Sequence, residues 1–248
     1  MEQSEKQYHI QLKAGDVGRY VLLPGDPGRC EPIAALFDDP KHVATNREYV
    51  TYTGYLDGVK VSVTSTGIGC PSAAIAVEEL ARVGADTFIR VGTSGAIQKD
   101  IHSGELAIIS AAIRDEGTTL HYMPIEFPAI ADLDVTLALQ RAAKKVGITY
   151  RTGISQSKDS FYGQHEPERM GVARNLLDRW KAWEIGGALC SEMEASAIFV
   201  IASMLRKRAG GVMMMHGVEP MPPLDPLLDT AVQALREMIA FDKAAGTI

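Results

Sequence analysis

The sequence has few cysteines, no long apolar run and no excess of positive charge. Its three cysteines, at positions 30, 70 and 190, lack metal-ligand spacing, and an odd number closes no disulfide framework. The longest apolar stretch, residues 197–205, is too short to span a bilayer. A net charge of −6 argues against a general nucleic-acid binder, whose affinity depends on neutralising phosphates.

The N-terminal segment, MEQSEKQYHIQLK, is polar and charged, unlike a signal peptide. We therefore expect a soluble, cytoplasmic protein with no nucleic-acid or membrane partner. Of the 248 residues, 46% are hydrophobic, which is enough to bury a sizeable core. Because no linker-like segment or internal repeat interrupts the chain, we expect residues 1–248 to form a single domain.

Short apolar runs alternate with helical patterns along most of the chain. Residues 20–24 (YVLLP), 87–92 (TFIRVG) and 210–215 (GGVMMM) are typical of buried strands. The alternation predicts an α/β fold with a mixed or mostly parallel sheet covered by helices, whose ligands bind at the carboxyl ends of strands. Further strands are expected at VKVSVTS, ELAIISAAIRDEG and 151–157, helices at 73–85, from Asp132, at 193–207 and at 226–243, and a polar loop at 158–172.

A glycine-rich segment, residues 65–72 (STGIGCPS), lies between a predicted strand and a predicted helix. Exposed backbone N–H groups at such a position bind anions. The segment partly matches the G-x-G-x-x-G pattern, with Asp86 roughly where a ribose-binding acid would lie, but Ser72 replaces the third glycine. A structural turn, an anion or ribose site, and a dinucleotide site all stay open at this point.

Arg90 lies inside an apolar predicted strand, where an unpaired charge is costly. It is either half of a structural ion pair or part of a phosphate or carboxylate clamp, since guanidinium groups match such oxyanions. Thr93 and Ser94 follow it and could add hydroxyl donors. Arg29, after a GDPG turn, and Arg47, in TNREYV, are each typical of solvated surface residues when taken alone.

Two further segments carry candidate ligand-binding side chains. In CSEMEA, Glu192 and Glu194 either complement the dipole of the following helix or, for Glu194, accept hydrogen bonds from a ribose diol. In SFYGQH, Phe161 is suited to stacking on a planar base and Gln164 to reading a donor–acceptor edge, although a Phe-Tyr pair equally often pins a loop to the core. His9 is isolated and, taken alone, is structural or solvated.

Taken together, these segments resemble the nucleoside phosphorylase family, and within it the uridine-specific branch. Residues 65–80 fit the family signature S-x-G-I-G-x-P-S-x-A-I-x-x-x-E-L position by position. The other family blocks also occur in the family's order along the chain: PGDPGR, NREY, RVGTSGAIQ, DSFYGQH and SEMEASA. The resemblance as a whole spans roughly residues 8–207. It implies an α/β fold with a mixed, partly barrel-like central sheet flanked by helices. It also implies a pentosyltransferase that converts uridine and phosphate into uracil and ribose 1-phosphate.

The resemblance also implies roles for individual residues. The phosphate-binding set is Gly25, Arg29, Arg47, Arg90 and Thr93, with the three arginines catalytic. The ribose-binding set is His9, Glu192, Met193 and Glu194, with His9 reaching the 5′-hydroxyl across a subunit interface. The base-binding set is Gly95, Phe161, Gln164 and Arg169. No organic cofactor is expected, and Glu48, Ile68 and Ser72 resemble a set that holds a potassium ion across a dimer. The implied assembly is a hexamer, a trimer of dimers with sites shared between subunits.

The chain departs from the family pattern in two places. Glu166 stands where related enzymes often carry an arginine of the base pocket, and the nearest arginine is Arg169. No arginine occurs between Arg208 and Arg236, although a polar flap with Asn or Arg is usual there. The same stretch lacks the Ser-Asp pair by which purine-specific relatives protonate their base, which argues against a purine substrate.

Phosphorolysis requires a phosphate dianion positioned against C1′ of the ribose and charge stabilisation on the departing base. Three arginines suit the first task, and no nucleophilic Ser or Cys and no metal-bound water is needed. Phosphorolysis of another nucleoside, or hydrolysis, is the first alternative, although a hydrolase needs no phosphate clamp. A catalytically weak nucleoside-binding paralogue is the second, because residues 216–226 diverge, and a dinucleotide-binding oxidoreductase is the third.

Overall fold

The chain builds one mixed β-sheet with helices on both of its faces. The computed structural model describes residues 5–248. Its strands are β1 (Tyr20–Pro24), β2 (Asp38–Asn46), β3 (Tyr49–Leu56), β4 (Val59–Thr64), β5 (Thr87–Ala96), β6 (Leu106–Asp115), β7 (Ala129–Ile130), β8 (Tyr150–Lys158), β9 (Cys190–Glu192) and β10 (Arg208–His216). Its α-helices are α1 (Cys30–Ala34), α2 (Cys70–Arg82), α3 (Leu133–Val146), α4 (Phe161–His165), α5 (Ala173–Ile185), α6 (Ala195–Met204) and α7 (Asp225–Ala244). Short 3-10 turns cover Pro27–Arg29, Thr118–His121 and Pro167–Arg169.

Part of the sheet closes on itself. The strands follow the order β10-β6-β8-β9-β5, and β10 also pairs with β5, so these strands form a small barrel. From β5 the sheet continues outward through β1, β4, β3 and β2. Strand β5 runs parallel to β1 and β10 and antiparallel to β9. The predicted α/β fold with a mixed, partly barrel-like sheet flanked by helices is confirmed.

Strand β5 positions the charged residues, because its side chains alternate between two cores. Phe88 packs in the cluster that includes buried residues of α2 and α6. Ile89 and Val91 pack in the other cluster, with α3 and α7. Arg90, between Ile89 and Val91, therefore shares the face of Phe88 and lies on the side where α2 and α6 begin.

The helix boundaries follow local signals in two cases. Asp132 caps α3 by accepting a hydrogen bond from the backbone N–H of Val135 at 3.1 Å, and Gly147 ends the helix at φ +80°. Pro71 lies in the first turn of α2, where its missing N–H costs nothing. The predicted helices at 73–85, from Asp132, at 193–207 and at 226–243 all occur, with shifted ends.

The structure corrects the prediction of a polar loop at 158–172. Residues Phe161–His165 form α4, because the Ser160 hydroxyl accepts a hydrogen bond from the backbone N–H of Gly163 at 2.9 Å. Strands β2 and β3, helix α5 and strand β9 were not predicted. Strand β2 is largely exposed and contains Pro40, so its pairing with β3 sets its conformation more than its own pattern does.

None of the helices within residues 5–248 is both long enough and apolar enough to cross a membrane.

Candidate active site

A buried ion pair joins the centre of β5 to the start of α6. Arg90 Nη2 lies 2.6 Å from Glu194 Oε2, and the two side chains are 6% and 4% exposed. The Nη1 of Arg90 also donates to the Leu23 carbonyl on the neighbouring strand at 3.3 Å. Within residues 5–248, the buried Nε of Arg90 has no hydrogen-bond partner. The arginine is therefore paired, as its burial requires, and it retains a free donor.

The glycine-rich segment binds the same carboxylate. The backbone N–H of Gly69, at the start of α2, donates to Glu194 Oε1 at 2.7 Å. Gly67 and Gly69 have φ of +69° and +95°, a backbone conformation that favours glycine. The N-terminus of α2 thus binds a carboxylate of the chain itself. Because Gly69 holds Oε1 and Arg90 holds Oε2, both oxygens of Glu194 are fixed in place.

Arg29 lies close enough to Arg90 for the two charges to repel. Burial, followed by the charge of Arg90, lowers the pKa of the Arg29 guanidinium. Its Nη2 lies 3.5 Å from the Thr93 hydroxyl, and its Nε is 4.0 Å from a carboxylate oxygen of Asp26. Glu194 balances the charge of Arg90, whereas the one ion-pair contact of Arg29 within residues 5–248 is the distant Asp26 carboxylate, so Arg29 is available to an anion.

Glycines make room for the Arg90 guanidinium. A Cβ added to Gly25, just after β1, would lie 3.2 Å from Arg90 Nη1 and 3.2 Å from the Gly67 carbonyl oxygen. A Cβ on Gly92 would lie 3.1 Å from Arg90 Nη2 and 2.7 Å from the Met213 sulfur. The buried hydroxyl of Ser94 on the same strand also has no partner within the described residues. The carboxyl end of β5 thus combines close backbone approach with free polar donors.

Glu192 fixes the backbone that carries Glu194. Its Oε2 accepts hydrogen bonds from the backbone N–H groups of Glu194 and Ala195, both at 2.8 Å, and its other oxygen accepts one from the Ser157 hydroxyl. Burial, and next the charge of Glu194, raises the pKa of Glu192. The backbone N–H of Met193 donates to Glu194 Oε2 at 3.3 Å. Glu192 therefore holds the first turn of α6, which carries Glu194.

Gln164 on α4 stands opposite the end of β5. A Cβ added to Gly95 would lie 3.8 Å from Gln164 Nε2. Gln164 lines a cavity of about 410 Å³ between the end of β8, α4 and α5, together with Gln156 and Lys158. Phe161 is half exposed, and its ring centre lies 4.2 Å from that of His165.

Three of the predicted site residues lie apart from this cluster. Arg47 is exposed at the turn between β2 and β3, and its side chain makes no hydrogen bond or ion pair within residues 5–248. Arg169 pairs with Glu166, is 58% exposed and does not line the cavity. His9 Nδ1 lies 2.6 Å from Glu79 Oε1 near the far end of α2, roughly 15 Å along that helix from Gly69.

Glu48, Ile68 and Ser72 meet around Gly67. A Cβ on Gly67 would lie 2.7 Å from Glu48 Cγ and 3.5 Å from the Ser72 hydroxyl. That hydroxyl donates to the Ile68 carbonyl at 3.1 Å. The stem of the Glu48 side chain, the Ile68 carbonyl and the Ser72 hydroxyl thus lie around the glycine-rich segment, and Ile68 is 78% exposed.

Comparison with protein families adds to this geometry. Residues 19–242 match the model described as the phosphorylase superfamily. The chain belongs to this superfamily. The match covers Arg29, Arg90 and Glu194, so the buried cluster is part of a phosphorylase-superfamily domain.

Individual superfamily members are similar over most of their length. A uridine phosphorylase of Treponema pallidum (strain Nichols) is 54% identical over 211 residues, which cover 85% of this chain and 82% of that protein. A uridine phosphorylase of Escherichia coli (strain K12) is 38% identical over 240 residues, covering 94% and 95%. A guanosine phosphorylase of Halorubrum lacusprofundi is 40% identical over 212 residues, covering 86% and 83%.

The sequence analysis does not single out Gln156, Lys158 and Ser191, which connect Gln164 to the barrel. The Ser191 hydroxyl lies 2.5 Å from Gln156 Oε1, 2.6 Å from Gln164 Oε1 and 2.6 Å from Lys158 Nζ. Position in the sequence could have indicated Lys158, because it is the last residue of β8 and ligands bind at the carboxyl ends of such strands.

Proposed function

We propose that this protein is a uridine-cleaving pentosyltransferase: uridine and inorganic phosphate give uracil and ribose 1-phosphate. The observation that carries the proposal is the neighbouring arginines Arg90, paired with Glu194, and Arg29, which has no carboxylate closer than 4.0 Å among the described residues. A hydrolase would not need two cations at this position. The similarity to proteins named uridine phosphorylase over most of the chain supports the same activity.

The cluster accounts for the phosphate and ribose half of the reaction. Arg29, Arg90 and Thr93 neutralise and aim the phosphate dianion, so that its oxygen attacks C1′ of the ribose. Glu194, held by Gly69 and Arg90, accepts hydrogen bonds from the 2′ and 3′ hydroxyls. The C1′–N1 bond breaks with its electron pair passing to the base, and the new bond joins C1′ to the phosphate oxygen.

Gln164 accounts for recognition of the base. Its amide offers one acceptor and two donors, which match the N3–H and a neighbouring carbonyl of uracil. Phe161, half exposed on the same helix, is available to stack on the ring. Gly95 leaves space opposite the amide. Arg169 as a base contact stays a prediction.

We further propose a hexamer in which neighbouring subunits complete each site. His9 is fixed to Glu79, far along α2 from the Gly69 of its own chain, so it is suited to serve another copy's ribose. Tyr8 and Ile68, which are 71% and 78% exposed, offer apolar surface to such a contact. Arg47, exposed beside Glu48, would join a phosphate site in the same assembly.

We also propose that a potassium ion binds beside Gly67, as the sequence resemblance implies. The Glu48 carboxylate, the Ile68 carbonyl and the Ser72 hydroxyl are all hard oxygen ligands, the type that alkali and alkaline-earth cations prefer. A symmetry-related second set would complete the coordination across a dimer. The ion would supply structural charge balance at that contact, away from the reacting atoms.

Such an enzyme would serve pyrimidine nucleoside salvage and catabolism. A cytoplasmic location, where free nucleosides and phosphate are both present, stays a prediction from the sequence.

One assay separates the candidate functions. The protein is incubated with uridine, deoxyuridine, thymidine, inosine and guanosine, each with and without phosphate, and base release is followed by ultraviolet absorbance. We expect phosphate-dependent release of uracil. Release without phosphate would identify a hydrolase, and release of guanine would align this chain with its guanosine phosphorylase relative. The absence of release from every nucleoside would indicate a nucleoside-binding paralogue.

A further inference from the structure

Lys158, the last residue of β8, is a buried cation without a carboxylate partner. Its side chain is 5% exposed, and its Nζ donates to the Ser191 hydroxyl at 2.6 Å. Within residues 5–248, no Asp or Glu oxygen forms an ion pair with this nitrogen at 4.0 Å or less. Burial lowers the pKa of Lys158, while the charges of Glu192 and Glu194 act in the opposite direction. An ammonium has three donors, so two of them are left without an acceptor among the described residues.

Lys158 lies close to Gln164, the residue proposed to bind the base, because Ser191 contacts both side chains. Lys158 and Gln164 line the same cavity of about 410 Å³. Ser191 contacts both of them, as well as Gln156, whose Nε2 donates to Asp115 Oδ2 at 2.6 Å. The Ser191 hydroxyl has one proton, so it can donate to only one of the Gln156 and Gln164 amide oxygens at a time. Because Asp115 already holds Gln156 in place, the Gln164 amide is the one that is free to turn toward a ligand.

Among the described residues that line this cavity, Lys158 is the one lysine or arginine. His165 also lines it, but burial, and next the charge of Lys158, lowers its pKa, which favours the neutral ring. The arginine that follows the glutamine in related enzymes is replaced by Glu166, and Arg169 points its charge to Glu166 outside the cavity. The lining also contains the acidic residues Asp115, Asp159 and Glu168. Lys158 on β8 is therefore the one group among the described lining residues that can offer a full positive charge to a ligand.

We propose that Lys158 donates a hydrogen bond to a carbonyl oxygen of the pyrimidine and stabilises the charge that builds on the base as it departs. This role rests on the proposed function. As the C1′–N1 bond breaks, its electron pair spreads over N1 and the two carbonyl oxygens of uracil. A cation fixed in advance beside the base stabilises such charge most strongly at the transition state. The uracil anion then takes its proton from water after release.

The test compares two leaving groups. Uridine and 5-fluorouridine have the same ribose, but the fluorine stabilises the departing anion by itself. We expect Lys158→Met to lower kcat for uridine by about 100-fold, within the range for loss of one such donor, and to lower kcat for 5-fluorouridine by only about tenfold. Lys158→Gln, which keeps a donor without the charge, should keep KM for uridine within about threefold and lose kcat in the same unequal way. If Lys158→Met does not fold, Lys158→Gln decides alone.

The matched control is Lys181→Met on α5, an exposed lysine paired with Glu184, which should leave both rates unchanged. Equal losses for the two nucleosides, a loss confined to KM, or no loss would overturn the role of Lys158, because a merely structural lysine does not distinguish leaving groups. If the wild-type protein releases no uracil, the proposed function itself fails and this role fails with it. If the wild-type enzyme is active and the variants lose equal activity toward both nucleosides, only the proposed role of Lys158 is overturned and the proposed function stands.

Discussion

The two halves of the candidate site are built differently. On the side proposed to bind phosphate and ribose, charged groups contact one another directly, as in the 2.6 Å ion pair of Arg90 with Glu194, whose carboxylate also accepts a 2.7 Å hydrogen bond from Gly69. On the side proposed to bind the base, the described residues around the cavity include amides, carboxylates, apolar side chains and one lysine, Lys158, and Phe161 is half exposed. The first half is suited to one unchanging anion. The second half can change its ligand without disturbing the first, which agrees with relatives named for uridine and for guanosine.

The largest effect is expected from Arg90→Ala. It removes the central cation of the phosphate half and leaves the Glu194 carboxylate buried without its partner, a change that typically costs about 3–5 kcal/mol of stability. Uridine cleavage should fall by about 1,000-fold or more and lose its dependence on phosphate. Rates at several phosphate concentrations and a thermal melt measure both effects. Arg82→Ala, an exposed arginine on α2, is the control, and wild-type turnover by the Arg90 variant would remove it from the clamp.

Glu194→Gln should have the next largest effect. The amide keeps the shape and one acceptor, but it loses the charge that balances Arg90 and the second acceptor for the ribose diol. We expect kcat/KM for uridine to fall by about 100-fold, with uracil binding in the absence of ribose nearly unchanged. Steady-state rates and calorimetric titration with uracil distinguish the two halves. An equal loss of uracil affinity would show that the halves are not independent.

His9→Ala tests whether a second subunit contributes to the ribose side. If His9 binds the 5′-hydroxyl, KM for uridine should rise by about tenfold, while KM for 5′-deoxyuridine, which lacks that hydroxyl, should not change. Analytical ultracentrifugation of the same variant shows whether the assembly is intact. Equal changes for both nucleosides would mean that His9 acts only through its contact with Glu79 on α2.

Arg169→Ala should have the smallest effect. Arg169 forms a solvent-exposed ion pair with Glu166 and does not line the cavity. We therefore expect KM for uridine to change by less than about threefold. The initial rate at subsaturating uridine is a sufficient measurement. A loss of about tenfold or more would support the base contact predicted from the sequence and would show that α4 rearranges when a ligand binds.

Much of the fold was accessible from local patterns. The apolar runs that became β1, β5 and β10 are buried on both faces of the sheet, and such strands read as continuous apolar segments. Asp132 and Gly147 mark the ends of α3 by chemistry that acts within a few residues. Strand β2 escaped prediction because it is charged and exposed, and its partner strand holds it in place.

The site was accessible only in part for the same reason. The burial of Arg90 in an apolar strand required a partner, but that partner is 104 residues away in the chain. The glycine-rich segment could be identified as an anion site, although nothing local indicates that Glu194 supplies the anion. Lys158 carries no motif, since its burial depends on how α4 and α5 cover the end of β8.

The amino-acid sequence alone thus decided most of the secondary structure, the need for a partner to Arg90 and the family signature. Each of these depends on residues that are neighbours within one strand, turn or helix. Folding decided which charges meet. Closure of the barrel brings β5, β8 and β9 together, so that Arg90, Glu194, Lys158 and Gln164 share one end of the sheet. No local pattern contains that information, because burial and charge pairing arise only when distant segments exclude water from the same place.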